Sequence, residues 1–441
     1  MKIVHAVGWY FPESLGGSEV YVAGLCRHLR GAGEEVLIAA PDPAREDERT
    51  YEHEGVAVYR YPIPREPTRA EAQGAVLARG AERFHAWLAR TRPDVVHFHT
   101  FVTGLGLSEI RAAKAAGARV IVTDHCGSLG WVCQRGTMMH WGERLCDGIC
   151  QPAKCAACEL QHRGLPKALA RVIGAIPPTI GRVARSLRGR LGTALTMSDL
   201  ITRNQAAQRE MLETVDKFVL LTGWAVEAMV ANGAPRDKLA LNRLGLSDEG
   251  IIRKPGPHES PTRLPLQIGC LGRVDPVKGL DDLVHAVVAL PTETPLRLEL
   301  RGPVTDGAGR RLVRELQDLT RNDPRITLAP AVSPNDVPRI LAGYDVLCCP
   351  SRILEGGPTV AIEAHAVGTP VIGTRIGGLA ELVTDGVNGR LVVPGDRRAL
   401  ADVLREIVRD PAATIDRWRL ALPAARTMGQ VASDYRVLYS T

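Results

Sequence analysis

Nowhere in this 441-residue chain do eighteen apolar residues follow one another unbroken, so no membrane-spanning helix is expected. The amino terminus, MKIVHAVGWYF, has one Lys ahead of a short apolar run and no small-residue cleavage site, which argues against a secretory signal. A cytoplasmic location is therefore expected. Aromatic residues make up only 4% of the chain and are scarce in its most basic stretch, which also lacks any nucleic-acid reader motif. A nucleic-acid partner is not expected. Acidic residues are missing altogether from Leu160 to Ser198. The remaining composition, 45% hydrophobic and 24% charged, is that of an ordinary globular protein, and the length calls for two domains rather than one core.

The acid-free stretch carries Arg163, Lys167, Arg171, Arg182, Arg185, Arg188 and Arg190, interleaved with Leu165, Leu169, Val172, Ile173, Ile176, Ile180, Val183, Leu187 and Leu191. A basic, helix-periodic segment of this kind can lie on an anionic membrane surface. Two ordinary surface helices joined at Pro177-Pro178 are the competing reading. The net charge of the whole chain is only +6, so it is this local excess that is informative.

The first half alternates strands and helices. KIVHAVG at 2–8 predicts a strand, WYFPESLGG a loop, and Ser18 an N-cap for a helix with Val22, Leu25 and Leu29 on one face. Further strands are expected at 35–39, 55–61, 94–99 and 118–124, with helices near 69–91 and 107–116. This is a parallel, doubly wound sheet. Ligands of such sheets sit beyond the carboxyl ends of the strands. The paired Gly16 and Gly17, His99 and His125 all fall at such ends, and together they suggest a cleft. A tight turn and structural histidines are the plainer reading of each one singly.

Residues 126–162 hold six of the ten cysteines: Cys126, Cys133, Cys146, Cys150, Cys155 and Cys158. Disulfides would be unusual in a cytoplasmic protein. The short spacings suit a structural Zn²⁺ on Cys146, Cys150, Cys155 and Cys158, with Cys126, Cys133, His125, His140 or His162 as further ligands. C-x4-C-x2-C also matches one type of iron–sulfur protein, and free buried thiols remain the third reading. Cys26, Cys270, Cys348 and Cys349 sit in apolar patterns and read as core.

Helix 199–215, strand 217–222, helix 224–232 and strand 239–244 close a first domain at 1–246. A stretch rich in Pro, Gly and charge, 247–265, is the expected hinge. A second domain, 266–425, repeats the alternation, and a tail at 426–441 is expected to cross back to the first. The second domain is organised around DVLCCPSRILEGGPTVAIEA at 345–364. A buried strand ends at Pro350, a loop carries Glu355, Gly356 and Gly357, and Pro358 is placed at the first position of a helix. Glu363 falls on the second turn of that helix, an acid in an apolar run, as expected of a group that faces solvent or binds hydroxyls. The helix tip has free N–H groups suited to phosphate. Arg273 and Lys278 end the domain's first strand on the same rim, and two cations beside a helix tip describe a diphosphate pocket. No Asp-x-Asp pair occurs, so a carboxylate-held Mn²⁺ or Mg²⁺ is not required there.

G-R-x4-K-G at Gly272–Gly279, the Glu355/Glu363 pair, HAVGTPVIGTRIGGLAELVTDGVNGRLV at 365–392, the Gly-Gly loop and the strand-end histidines give the whole chain a resemblance to glycosyltransferase family four. HCGSLGWVCQRG and the following cysteines are similar to a subgroup with a cysteine-rich insertion. The resemblance implies the GT-B fold, two facing Rossmann-like domains, and a retaining enzyme that uses a UDP- or GDP-sugar. It implies that Arg273 and Lys278 hold the donor diphosphate, that Glu363 accepts from the ribose hydroxyls, and that Glu355 sits near the sugar. Backbone around Gly356, Gly357, Pro358 and Thr359 would contact phosphate or sugar. Gly16 and Gly17 would close on the diphosphate, and His125 would border the reacting centre.

Transfer then needs no cofactor, only cations, N–H dipoles and domain closure. The acceptor stays open: a glycan, a lipid-linked sugar or a small molecule, since acceptor loops vary freely on one fold. A sugar-nucleotide hydrolase or epimerase on the same fold competes, as does a non-catalytic, metal-stapled binding subunit.

Overall fold

The computed structural model describes residues 1–14, 16–125, 132–187, 189–247, 262–354 and 356–441. Two compact units emerge, one of residues 1–243 with 428–441, the other of residues 244–427.

The first unit carries strands β1 (Lys2–Ala6), β2 (Glu35–Asp42), β3 (Arg49–His53), β4 (Val56–Pro62), β5 (Val95–Phe98), β6 (Arg119–Thr123), β7 (Met139–His140), β8 (Arg144–Leu145), β9 (Lys217–Leu220) and β10 (Leu239–Leu241). Among the described residues, eight of them form one sheet in the order β10-β9-β6-β5-β1-β2-β4-β3. Its pairings are parallel except for β3 on β4. That antiparallel edge departs from the purely parallel sheet expected. A two-residue turn at Glu54-Gly55, both with positive φ, folds it back as a hairpin. The small pair β7–β8 lies in the cysteine-rich segment.

Three expectations for helices need correction here. Gly16, not Ser18, caps the first helix, Gly17–Gly31, and the Ser18 hydroxyl bonds Glu19 instead. The helix expected over 69–91 is two, Arg69–Ala72 and Ala81–Thr91, parted where Gly74 and Gly80 take positive φ. The basic stretch is three helices rather than two, Lys167–Gly174, Pro178–Val183 and Gly189–Leu195. Prolines at 177 and 178 part the first two. The carboxyl-terminal helix, Met428–Ser440, belongs to the first unit and packs beside Gly17–Gly31. Tyr435 and Tyr439, fully or nearly buried, are its share of the core.

The second unit holds β11 (Leu266–Leu271), β12 (Leu296–Arg301), β13 (Ile326–Ala329), β14 (Val346–Cys349), β15 (Val371–Thr374) and β16 (Gly389–Val392). These form a parallel sheet in the order β13-β12-β11-β14-β15-β16. A core of Leu, Ile and Val lies on one face under helices Leu280–Val288 and Arg397–Arg409, closed by the buried Trp418. A second core packs Tyr344, Leu347 and Val371 against Ala361 and Ala364 of helix Thr359–Ala366.

Candidate active site

In the second unit the chain runs outward from β11 to β12 and β13 on one side, and from β14 to β15 and β16 on the other. The crevice beyond β11 and β14 is thus the switch point where open α/β sheets hold ligands. A cavity of about 450 Å³ opens there. Arg273, Lys278, Gly357, Pro358, Thr359 and Glu363 all line it. Gly356 is not among the described lining residues, and Glu355 lies outside the described residues.

Each wall has a local cause. β11 ends at Leu271, and Arg273 leaves the strand end with its guanidinium half exposed, paired to Asp275 at 3.0 Å. Asp275 also caps the turn Pro276–Lys278, its carboxylate accepting from the N–H of Val277 at 3.1 Å. Gly279 then takes φ +69° to start helix Leu280–Val288. A Cβ on it would stand 2.1 Å from the carbonyl oxygen of Pro350, so only glycine lets the Lys278 turn lie against the β14 loop. Across the crevice Pro358 is the N-cap of helix Thr359–Ala366, one residue ahead of the position expected for it. The Ala361 N–H is taken by the Pro358 carbonyl at 2.9 Å, whereas those of Thr359 and Val360, which line the cavity, precede the first intrahelical bond. Glu363 is largely buried, and that burial raises its carboxyl pKa above the ordinary value. Cys349, expected in the core, is only partly buried and lines the cavity with Cys348 and Cys270. Burial pushes the Cys270 thiol up to about 12, so it stays protonated beside the Lys278 charge.

Sequence reasoning missed the charges behind this wall. Arg352 and Arg397 converge on Asp281 and Asp282, with Asp282 buried. The signal was the Asp281-Asp282 pair one residue beyond Gly279, read only as a helix start.

In the first unit the equivalent switch point lies between β1 and β5. Gly16 and Gly17 stand at the tip of helix Gly17–Gly31 that follows β1. Glu19, buried in its first turn, accepts from the hydroxyls of Ser14 at 2.5 Å and Ser18 at 2.7 Å. His99 is not on the rim: it is buried, and its Nδ1 lies 3.0 Å from Nε2 of the partly exposed His125. The Tyr21 ring meets His125 edge-on at 4.8 Å. Burial lowers the His125 pKa to about 4, against the pull of Glu19, so the ring is neutral at ordinary pH.

Among the described residues, no three of the predicted cysteine ligands come within 4.8 Å of one another. Cys126 lies outside the described residues. Among the described residues, His5, His97 and His99 alone bring three candidate ligand atoms within 4.8 Å of one another. Cys150 and Cys155 share a hydrogen bond, which lowers the Cys155 thiol to about 7 and raises its partner. Cys158 instead accepts from the N–H of Trp141 at 3.3 Å, Cys133 from that of Met138 at 3.3 Å, and Cys146 leans on Asp147. The segment has an apolar core of its own, with Trp141, Ala156, Ala157 and Leu160 packed on Ala170, Met197 and Ile201. Among the described residues, then, Cys133 and Cys158 accept from backbone N–H groups and Cys150 pairs with Cys155.

Comparison with known families gives two matches. The family "Glycosyl transferases group 1" matches residues 259–421, and "Glycosyl transferase 4-like domain" matches residues 16–175. The chain belongs to glycosyltransferase family four, with the GT-B fold. Among similar proteins, the D-inositol 3-phosphate glycosyltransferase of Streptomyces avermitilis is 28% identical to this family-four chain over 334 residues, covering 74% of it and 65% of the relative. That of Streptomyces coelicolor is 30% identical over 325 residues, 70% and 65% of the two chains. The chain thus spans less than two thirds of these curated relatives. That of Stackebrandtia nassauensis is 27% identical over 419 residues, 90% and 79%. Among solved structures, sucrose-phosphate synthase from Thermosynechococcus elongatus superposes with a TM-score of 0.65 at 21% identity, covering 100% of this chain and 98% of that one. Anabaena HepE in complex with UDP and glucose gives 0.62 at 16%, covering 100% of both.

Proposed function

We propose that this family-four chain transfers a sugar, with retention, from a nucleoside-diphosphate donor to an acceptor hydroxyl. The carrying observation is the single cavity at the β11/β14 switch point that brings Arg273, Lys278, Glu363 and a helix tip together. Arg273 forks onto diphosphate oxygens, Lys278 adds a point charge, and the Thr359 helix tip supplies N–H donors. Those groups are in place before reaction, so they stabilise the negative charge that builds on the leaving diphosphate. Glu363 accepts from the ribose hydroxyls, and Glu355 serves the sugar. Gly16 and Gly17 contribute backbone at the first helix tip, open at Gly17 and bordered by the Glu19 carboxylate at Gly16, and His125 borders the reacting centre. With retention, the departing phosphate takes the acceptor's proton, so no separate base is assigned. No step runs through a metal ion. UDP stands as the donor nucleotide, following the UDP-bound Anabaena protein, with GDP as the competitor. Thermal-shift screening against UDP-, GDP- and ADP-sugars tests the reading, together with product analysis with and without acceptor. No shift with any of them would end it, and release of free sugar regardless of acceptor would make the chain a hydrolase.

The basic segment supports a further part of the proposal, contact with an anionic membrane and a lipid-linked acceptor. Val172 and Val183 are 70% and 82% exposed, and Leu169, Ile180, Leu187 and Leu191 are exposed too. Leu169 with Val172, and Ile180 with Val183, are i, i+3 pairs that share a helix face. Exposed Arg171, Arg182 and Arg190 flank them without an intervening acid. Apolar anchors among cations match an anionic bilayer. Co-sedimentation with anionic vesicles should be lost in Val172→Asp/Val183→Asp. Equal binding by the variant, or none by the parent, would leave a soluble acceptor such as the inositol phosphate in the relatives' names.

A further inference from the structure

A file of imidazoles runs inside the first unit from β1 to His125. His5 on β1 and His97 on β5 are register partners, so their side chains leave one face of the sheet, and His99 two residues on shares it. His5 Nδ1 lies 2.9 Å from His99 Nε2, and His99 Nδ1 lies 3.0 Å from His125 Nε2. His97 stands beside the file, not in it. Its Nδ1 meets the Tyr439 hydroxyl and its Nε2 the Thr123 hydroxyl, both at 2.7 Å. The N···N separations in the file are those of single hydrogen bonds. His5, His99 and His125 are thus joined in a file, while His97 is held by Tyr439 and Thr123.

Burial of His5 and His99 disfavours a charged ring, and a neutral ring carries one N–H. Two proton arrangements then satisfy the file. In one, His5 Nδ1 donates to His99 Nε2, His99 Nδ1 donates to His125 Nε2, and His125 keeps its hydrogen on Nδ1. In the other every bond is reversed, the His125 Nδ1 is a bare lone pair, and His5 Nε2 becomes an N–H. His5 Nε2 is buried and has no partner among the described residues. A buried N–H without an acceptor is the rarer defect, so the first arrangement is preferred.

We propose that His99, and His5 behind it, are positioning residues that lock His125 as the Nδ1–H tautomer. His125 then meets the substrate as a hydrogen-bond donor and not as a base. This rests on the placement of His125 at the reacting centre proposed above. A neutral donor there favours an oxygen that gains negative charge, and leaves the acceptor's proton to the departing phosphate.

Nitrogen-15 NMR of the full chain labelled in histidine, with His125 assigned by the signals lost in His125→Gln, reads the tautomer without turnover. The Nδ1–H pattern is expected, and an Nε2–H pattern overturns the proposal. A kinetic pair supplies the second reading. His99→Asn keeps a donor at the Nδ1 position towards His125, whereas His99→Gln moves it to the Nε2 side towards His5. The kcat of the Gln variant should fall about tenfold or more below that of the Asn variant at similar donor KM. Equal kcat values overturn the proposal. Absence of any transfer in the parent chain would count against the proposed function, while the NMR result would still decide the tautomer.

Discussion

Arg352 and Asp282 tie the two walls of the candidate site together. The Arg352 Nε donates to Asp282 at 2.7 Å, and its backbone N–H reaches the carbonyl of Val277 at 2.8 Å. The loop leaving β14 is thereby fixed to the turn that presents Lys278. Arg397 donates to the same carboxylate at 2.7 Å. Burial works to raise the Asp282 carboxyl, but the two guanidinium groups together hold it below its ordinary value.

Arg352→Ala should therefore cost about 1–3 kcal/mol in urea unfolding, because Arg397 still partners the buried acid. Donor affinity should weaken too, as the loop is freed. Since the Asp282 pKa is depressed in the folded state, its stabilisation is present above the unfolded value and lost as pH falls through the folded one. The gap between parent and variant should close in acid, below about 3.8.

Arg273→Ala and Lys278→Ala should each lower transfer by about a hundredfold. Arg273 is half exposed and has only Asp275 as an ion-pair partner among the described residues, so its loss should leave the unfolding midpoint nearly unchanged. Donor titration and thermal melts on the same samples would separate a lost contact from a lost fold.

Gly279→Ala meets two obstacles at once, a φ of +69° and a carbonyl oxygen 2.1 Å from the new Cβ. Destabilisation of about 2 kcal/mol or more is expected, with weaker donor binding because the turn carrying Lys278 must shift. A variant as stable as the parent would mean that the β14 loop gives way freely.

Much of this was legible in the sequence. Strand periodicity and the order of elements gave both sheets, and GRVDPVKG with GPTVAIE at 357–363 carries residues of the cavity wall. The histidine file was not legible, because it depends on which strands are neighbours: His5 and His97 are 92 residues apart yet paired in register. The Arg352–Asp282 tie was hidden for the same reason. The antiparallel β3 was hidden because RTYEH alternates exposure at an edge and lacks a long apolar run. Spacing misled at the cysteines. C-x3-C-x4-C-x2-C says the thiols are close along the chain, but side-chain direction decides whether they meet, and Cys158 turns to the Trp141 backbone.

The Cys155 thiol, lowered to about 7 by its hydrogen bond with Cys150, should alkylate before the other cysteines at neutral pH. Its labelling rate should rise through about pH 7 and move up towards the ordinary 9.0 or beyond in Cys150→Ala. Protection of both thiols until a chelator is added would instead reveal a bound metal ion.

Glu363→Gln separates stability from binding. Burial raises the Glu363 pKa above 4.5, so the folded state takes up a proton more readily than the unfolded chain does. By linkage, the stability tied to that proton is present below the unfolded value and lost as pH rises through the folded one. At neutral pH the parent carries a partly desolvated charge that the amide variant lacks. The variant should melt about a degree or two higher near pH 7, and the difference should vanish below about 4.5. Donor binding should move the other way, weakening about tenfold as a charge-assisted bond to ribose becomes a neutral one. A variant that lost stability at neutral pH would show that Glu363 is a structural acid, and one that bound donor as tightly as the parent would take the ribose contact away from it.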